Sequence, residues 1–108
     1  DGVPKNKTKT IQLFQQAADL ENTDAMVKLA ICYFRGHCVS QDKTKAIQLF
    51  QQASDLGHAD AMSYLGVCYL KGDGVPQDDS KAFQLFQQAS DLGNTNAMFN
   101  RALWESTR

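Results

Sequence analysis

The stretch IQLFQQAADL at residues 11–20 returns as IQLFQQASDL at 47–56 and as FQLFQQASDL at 83–92, each copy 36 positions beyond the last. A second block keeps the same offset: DAMVKLAICYFRG at 24–36 matches DAMSYLGVCYLKG at 60–72, and NAMFNRALWESTR at 96–108 begins alike before diverging. The chain reads as three windows of one unit, residues 1–36, 37–72 and 73–108, in a single array, and each window carries two segments.

Both segments have the period of a helix. In the first block Ala46, Ile47, Leu49, Phe50, Ala53 and Leu56 recur at steps of three and four, while Gln48, Gln51, Gln52 and Asp55 fall on the other side. In the second block Ala61, Leu65 and Cys68, with Met62, Gly66 and Tyr69, do the same. The boundaries agree with this. Asp42, Asp78, Asn22 and Asn94 stand where a side-chain oxygen caps the free amide groups of a first turn, and His58 occupies the slot held elsewhere by Asn22 and Asn94. Gly36, Gly57, Gly72 and Gly93 follow apolar runs, where helices end. The pattern predicts six helices, at about 6–20, 23–35, 43–56, 59–71, 79–92 and 95–106. One helix pair cannot bury its own apolar stripe, so successive pairs must stack, giving an all-α, right-handed solenoid of antiparallel helix pairs. Short residues at Ala25, Ala61 and Ala97, and at Ala30, Gly66 and Ala102, are expected to let neighbouring helices approach closely.

At 108 residues and 12.0 kDa the chain has the size of one domain. A net charge of −1 supplies no overall basic field to gather nucleic acid or anionic lipid. No run approaches the roughly 18 apolar residues of a membrane span, so no membrane insertion is expected, and the opening DGVPKNKTKT lacks the apolar centre of a secretory signal. Cys32, Cys38 and Cys68 are odd in number and widely spaced, which points to a reducing, intracellular compartment. Cys32, His37 and Cys38 match none of the usual zinc spacings, so no metal site is expected. Equivalent residues on stacked helices stand about 8–10 Å apart, beyond the reach of about 6.8 Å for a disulfide, so Cys32 and Cys68 are expected to be free thiols. Nothing in the sequence argues for an enzyme or for a cofactor.

Leu65-Gly66-x-x-Tyr69 followed by Ala82-x-x-x-Phe86 is the skeleton of the tetratricopeptide repeat. The period of 36 and the additional GDGVPQD at 72–78 depart from that repeat; LGxCYLxGxGVxxDxxKAxxLFxxAxxLGxxxA across 65–97 resembles the Sel-one-like repeat. The resemblance covers the whole chain. It implies that Leu65, Gly66, Tyr69, Ala82, Phe86, Ala89 and Ala97 are scaffold positions and that Gly72, Gly74, Val75 and Asp78 shape the loop; Leu29, Tyr33, Gly36, Val39, Asp42, Ala46, Phe50, Ala53 and Ala61 match in the preceding unit. It also implies adaptor roles, since the family scaffolds membrane-associated degradation and signalling complexes in eukaryotes and mediates contact with host or envelope components in bacteria. Some secreted bacterial members staple each helix pair with a disulfide; here the matching places hold alanine or methionine. Cys38 stands where the other loops have Gly74 and Gly2, which predicts backbone strain if that site has positive φ.

Comparing the windows with one another separates scaffold from free surface. Positions that differ run along one helical face: Asp24, Lys28, Ile31 and Arg35, then Asp60, Tyr64, Val67 and Lys71, then Asn96, Asn100 and Leu103. This stripe is expected to line the inner curve and bind a protein or peptide, with Tyr64 as its anchor; the competing expectation is that Ile31, Val67 and Leu103 pack between paired helices and that the cations are simply solvated. An RNA-reading helical repeat is the rival, disfavoured because Asp24 and Asp60 point into the groove, and no nucleic-acid partner is expected. A spacer or engineered array without a ligand is the third reading. In the last window Arg101, Trp104 and Glu105 replace Leu65, Cys68 and Tyr69, as in a degenerate final cap. At the other end the chain opens inside the loop motif, so the first helix, with Ile11 and Phe14, lacks a preceding neighbour and is expected to associate end to end with another copy.

Overall fold

The computed structural model describes residues 3–106, with side chains from residue 7 onward. Six helices follow one another: α1 (Val3–Asp19), α2 (Thr23–Arg35), α3 (Lys43–Asp55), α4 (Ala59–Lys71), α5 (Asp79–Asp91) and α6 (Thr95–Ser106). Each packs chiefly on its neighbours in sequence, α2 on α3 and α4 on α5 most extensively, so the pairs pile into an α-solenoid 51 × 23 × 20 Å in extent. Helix α1 starts three residues before the periodic pattern does, because Pro4 falls in its first turn, where a missing N–H forfeits no helical bond.

The caps explain why the helices start where they do. The backbone N–H groups of Lys45 and Lys81 donate to Asp42 and Asp78 at 3.0 Å, and that of Ala25 donates to Asn22 at 2.9 Å. The exits are also repeated. Gly36 and Gly72 close α2 and α4 in the left-handed conformation, after which Gln41 and Gln77 donate side-chain N–H to the carbonyls of Phe34 and Leu70, each at 2.9 Å. The N–H groups of Asp42 and Asp78 then reach back to the carbonyls of Tyr33 and Tyr69. Lys45 and Lys81 lie over the rings of those same tyrosines, 5.0 and 5.2 Å from the centroids.

Between paired helices the core consists of repeated rings and small residues. Leu29, Ala30, Ala46, Ala53, Ala61, Leu65, Ala82, Phe86, Ala89 and Ala97 are fully buried, and Phe50 nearly so. Gly66 is the closest approach: a β-carbon there would lie 2.7 Å from Cε1 of Phe86. Ala102, the counterpart of Gly66 in the last window, is exposed, with no described helix packed over it. Helix α6 buries only Ala97; Trp104 packs on Phe83 at 4.5 Å, while Met98, Phe99 and Leu103 stay exposed, so that end offers apolar surface. At the other end Leu13 is 53% exposed, against 7% for its counterparts Leu49 and Leu85; among the described helices α1 packs chiefly on α2.

Among the described residues, two carry left-handed backbone without being glycine. Cys38 has φ 70°, at the position where Gly74 has 84°, as its place in the loop predicts; the first-window counterpart, Gly2, lies outside the described residues. Glu21, with φ 65°, stands where Gly57 and Gly93 have 91° and 89°, and the sequence comparison overlooked it. Such backbone costs an L-residue about 1–2 kcal/mol. Cys38→Gly and Glu21→Gly are each expected to raise thermal stability by about 1 kcal/mol, and the two gains should add, since the sites lie in different loops. A melting temperature that is unchanged or lower in either variant counts against the strain. Gly66→Leu, in contrast, must displace Phe86 and is expected to cost about 1–3 kcal/mol, read as a lower melting temperature; an unchanged midpoint would remove this contact from the core.

Candidate partner-binding face

Helices α2, α4 and α6 present the variable stripe, and the order of their N-terminal ends is set by a repeated hydrogen-bonded link. The backbone N–H of Ala61 donates to Nδ1 of His58 at 3.2 Å, which leaves the proton on Nε2, and Nε2 donates to Asp24 at 2.7 Å. One unit further on, Asn94 accepts from the N–H of Ala97 at 2.8 Å and from the hydroxyl of Ser63 at 2.9 Å, and its amide donates to Asp60 at 2.6 Å. His58 and Asn94 are thus each held both by the helix they start and by a carboxylate of the helix one unit earlier. This gives Asp24 and Asp60 a structural duty that the sequence comparison did not assign to them.

Two clefts lie between the helices of the face. The first, of about 260 Å³, is lined by Ile31, Phe34, Arg35, Phe50, Tyr64, Val67, Cys68, Lys71 and Asp73. The second, of about 270 Å³, is lined by Asp60, Ser63, Tyr64, Val67, Asn96, Phe99 and Asn100. Tyr64 and Val67 belong to both. The ring of Tyr64 stacks on buried Phe50, centroids 5.3 Å apart and planes 17° apart, yet the residue remains 41% exposed. Phe34 meets Phe50 from the other side at 6.5 Å, and Lys43 covers Phe34 while pairing with Asp73 at 2.7 Å.

Eight of the eleven stripe residues line these clefts: Ile31, Arg35, Asp60, Tyr64, Val67, Lys71, Asn96 and Asn100. Asp24, Lys28 and Leu103 line neither. Ile31 and Val67 are half-buried and pack on the core, so they serve scaffold and cleft together. Leu103 does not pack between paired helices, as the competing reading of the aliphatics has it; it is 50% exposed. The stripe missed Phe34, Phe50, Ser63, Cys68, Asp73 and Phe99. Phe99 was detectable, because it stands where Val27 and Ser63 stand in the earlier windows. Phe50 was not, since it repeats as Phe14 and Phe86 and so reads as scaffold.

All three cysteines are free. Cys68 sits buried at the floor of the first cleft, and burial, with Asp73 nearby, pushes its thiol from the ordinary 9.0 up to about 11, against the pull of Lys43 and Lys71. Burial likewise raises Cys32, helped by Cys38 and opposed by Lys28. Among the described residues no group of three His, Cys, Asp or Glu side chains is placed to hold a metal, and no helix is long and apolar enough to cross a membrane.

The family model for the Sel1 repeat matches residues 1–22, 23–58 and 59–94. Its two full windows hold α2 with α3 and α4 with α5, the pairs in most extensive contact. Among solved structures, a protective antigen of uropathogenic Escherichia coli strains displaying an SLR fold is similar, with 30% identity and a TM-score of 0.84 over 86% of this chain and 20% of that one. A Sel1 repeat protein from Oxalobacter formigenes is 33% identical, TM-score 0.76, over 82% of this chain and 36% of that one. Helicobacter pylori cysteine rich protein B is 29% identical, TM-score 0.81, over 85% of this chain and 69% of that one. The chain therefore spans a fifth to about a third of the first two. No curated protein sequence matches it.

The thiol environments make a direct check. Alkylation of the folded chain near pH 8 should label half-buried Cys38 first and leave Cys68 until the chain is unfolded. Because the folded thiol of Cys68 titrates above the unfolded one, its contribution to stability is complete below pH 9.0 and lost as pH rises towards about 11. Labelling of Cys68 as fast as Cys38 would contradict the buried floor.

Proposed function

Because the chain belongs to the Sel1-repeat family, whose members are generally non-enzymatic protein–protein interaction scaffolds, we propose that it binds a peptide or protein segment across the face of α2, α4 and α6, with Tyr64 as the anchor. The observation that carries this reading is the position of Tyr64. Its ring is held by stacking on Phe50, so little side-chain freedom remains to be lost on binding, yet 41% of the residue is exposed at the junction of two clefts. Rigid, half-exposed tyrosines are the kind of residue that dominates binding energy at interfaces.

The two clefts differ in what they offer a ligand. The first is aromatic and aliphatic with a cationic rim; the second carries Asn96 and Asn100, whose amides can hydrogen-bond a peptide main chain. Single-stranded RNA is the poorer fit. Asp24 and Asp60 put two carboxylates on the same face, and a reader of RNA needs a continuous basic track.

Affinity purification from the native source with wild type and Tyr64→Ala, read by mass spectrometry, tests the reading. The variant should keep its helical circular dichroism and lose about 30-fold in affinity for the recovered partner, corresponding to a hot spot of about 2 kcal/mol. A folded variant with undiminished affinity would rule out the anchor. Salt-dependent capture of RNA would favour the nucleic-acid reading instead.

A further inference from the structure

The charged groups around the first cleft are not equally available to a ligand. Of the three carboxylates on or beside this face, Asp24 is bonded to His58, Asp60 to Asn94, and Asp73 to Lys43. Arg35 and Lys71 line the cleft and make no hydrogen bond or ion pair with any described residue, and both are exposed. They sit in the last turns of α2 and α4, where each helix end carries roughly half a negative charge. Two full cations against two such half-charges leave about one positive charge at this rim, since Lys43 and Asp73 cancel. The acidic groups lie at the opposite, N-terminal ends of the same helices, eleven residues and therefore about 16 Å away.

Between these ends the cleft is apolar. Ile31, Phe34, Phe50, Tyr64 and Val67 form walls and floor around about 260 Å³, more than the roughly 150 Å³ that holds a benzene ring in a protein interior. A single aromatic or branched aliphatic side chain fits this space, and a neighbouring anion would meet Arg35 and Lys71.

We propose that the cleft between α2 and α4 takes a peptide segment in which an apolar side chain is flanked by carboxylates, the apolar group entering over Tyr64 and Phe50 and the carboxylates pairing with Arg35 and Lys71. This inference rests on reading the face as a peptide-binding surface and adds the chemistry of the partner. Lysine-flanked segments are turned away by the same rim. One net charge is enough to bias a peptide, and too little to hold a polyanion against salt.

The test uses two dye-labelled octapeptides sharing a Phe-Leu core, one flanked by glutamates and one by lysines, titrated with the chain by fluorescence anisotropy at low ionic strength. The glutamate peptide should bind about five- to tenfold tighter, the gap should shrink as salt is added, and Arg35→Glu with Lys71→Glu should invert it. A second variant, Arg35→Gln with Lys71→Gln, should abolish the gap with the helical signal intact. Equal affinity for both peptides, reduced alike by Tyr64→Ala, overturns the carboxylate inference and leaves the anchor reading standing. Saturable binding of neither peptide, tighter binding of the lysine peptide, tighter binding of a short oligouridylate, or a preference unmoved by the double variants also overturns it; the anchor reading is then judged separately by the native partner.

Discussion

The close seating of the Phe86 ring against Gly66 on the preceding helix is the constraint from which the rest of this solenoid follows. Phe86 lies so near Gly66 that no β-carbon fits between them, and Phe86 is fully buried as a result. Full burial of such a ring contributes about 1.5–3 kcal/mol, comparable to a sizeable share of a small domain's net stability. The contact also fixes geometry: with the ring in place, α4 and α5 have one distance and one register, and the alanines around it, Ala61, Ala82 and Ala89, are buried because the helices come that close. On α6, which has no described helix packed on that side, the equivalent Ala102 is exposed.

Stacking alone would leave helices free to slide, and the polar links resist that. The His58 and Asn94 caps each join the start of one helix to a carboxylate on the helix one unit earlier, so the N-terminal ends of α2, α4 and α6 are tied in sequence. Lys43, at the start of α3, and Asp73, in the loop after α4, make a similar tie, partly exposed and therefore modest in energy. What these links leave over is the functional surface. The carboxylates of the face are engaged, the rings of Phe34 and Phe50 form a floor, and Tyr64, Arg35 and Lys71 remain with unused contact capacity. Scaffold and candidate site are thus made by the same packing, which is why Phe50 belongs to both.

Much of the fold was legible because repetition gives a chain its own internal comparison. A constant offset of 36 residues marked the units, the three- and four-residue apolar steps marked the helices, and Asn22, Asp42, His58, Asp78 and Asn94 marked their starts. The left-handed Cys38 was legible for the same reason, as a non-glycine in a glycine slot; Glu21 carried the identical signal. The site was only half legible. Comparison of windows assigns every repeated residue to the scaffold, so it overlooks a ring such as Phe50 that repeats and still floors a cleft. The competing expectation that the aliphatics of the stripe pack between paired helices holds for half-buried Ile31 and Val67 and fails for Leu103, which lies exposed. Which polar groups are engaged depends on contacts between residues about 30 positions apart, such as Lys43 with Asp73, and no single-helix pattern reveals those.

Packing in the middle of the array, with Phe86 seated on Gly66, holds the solenoid together, whereas α1 and α6 each pack chiefly on a single described helix. Residue-resolved amide hydrogen exchange measures this directly. Exchange is expected to be slowest in α2 to α5, around Leu29, Phe50, Leu65 and Phe86, with α1 and α6 opening first. Protection in α6 equal to that in α4, or fastest opening at the α4–α5 contact, would contradict it.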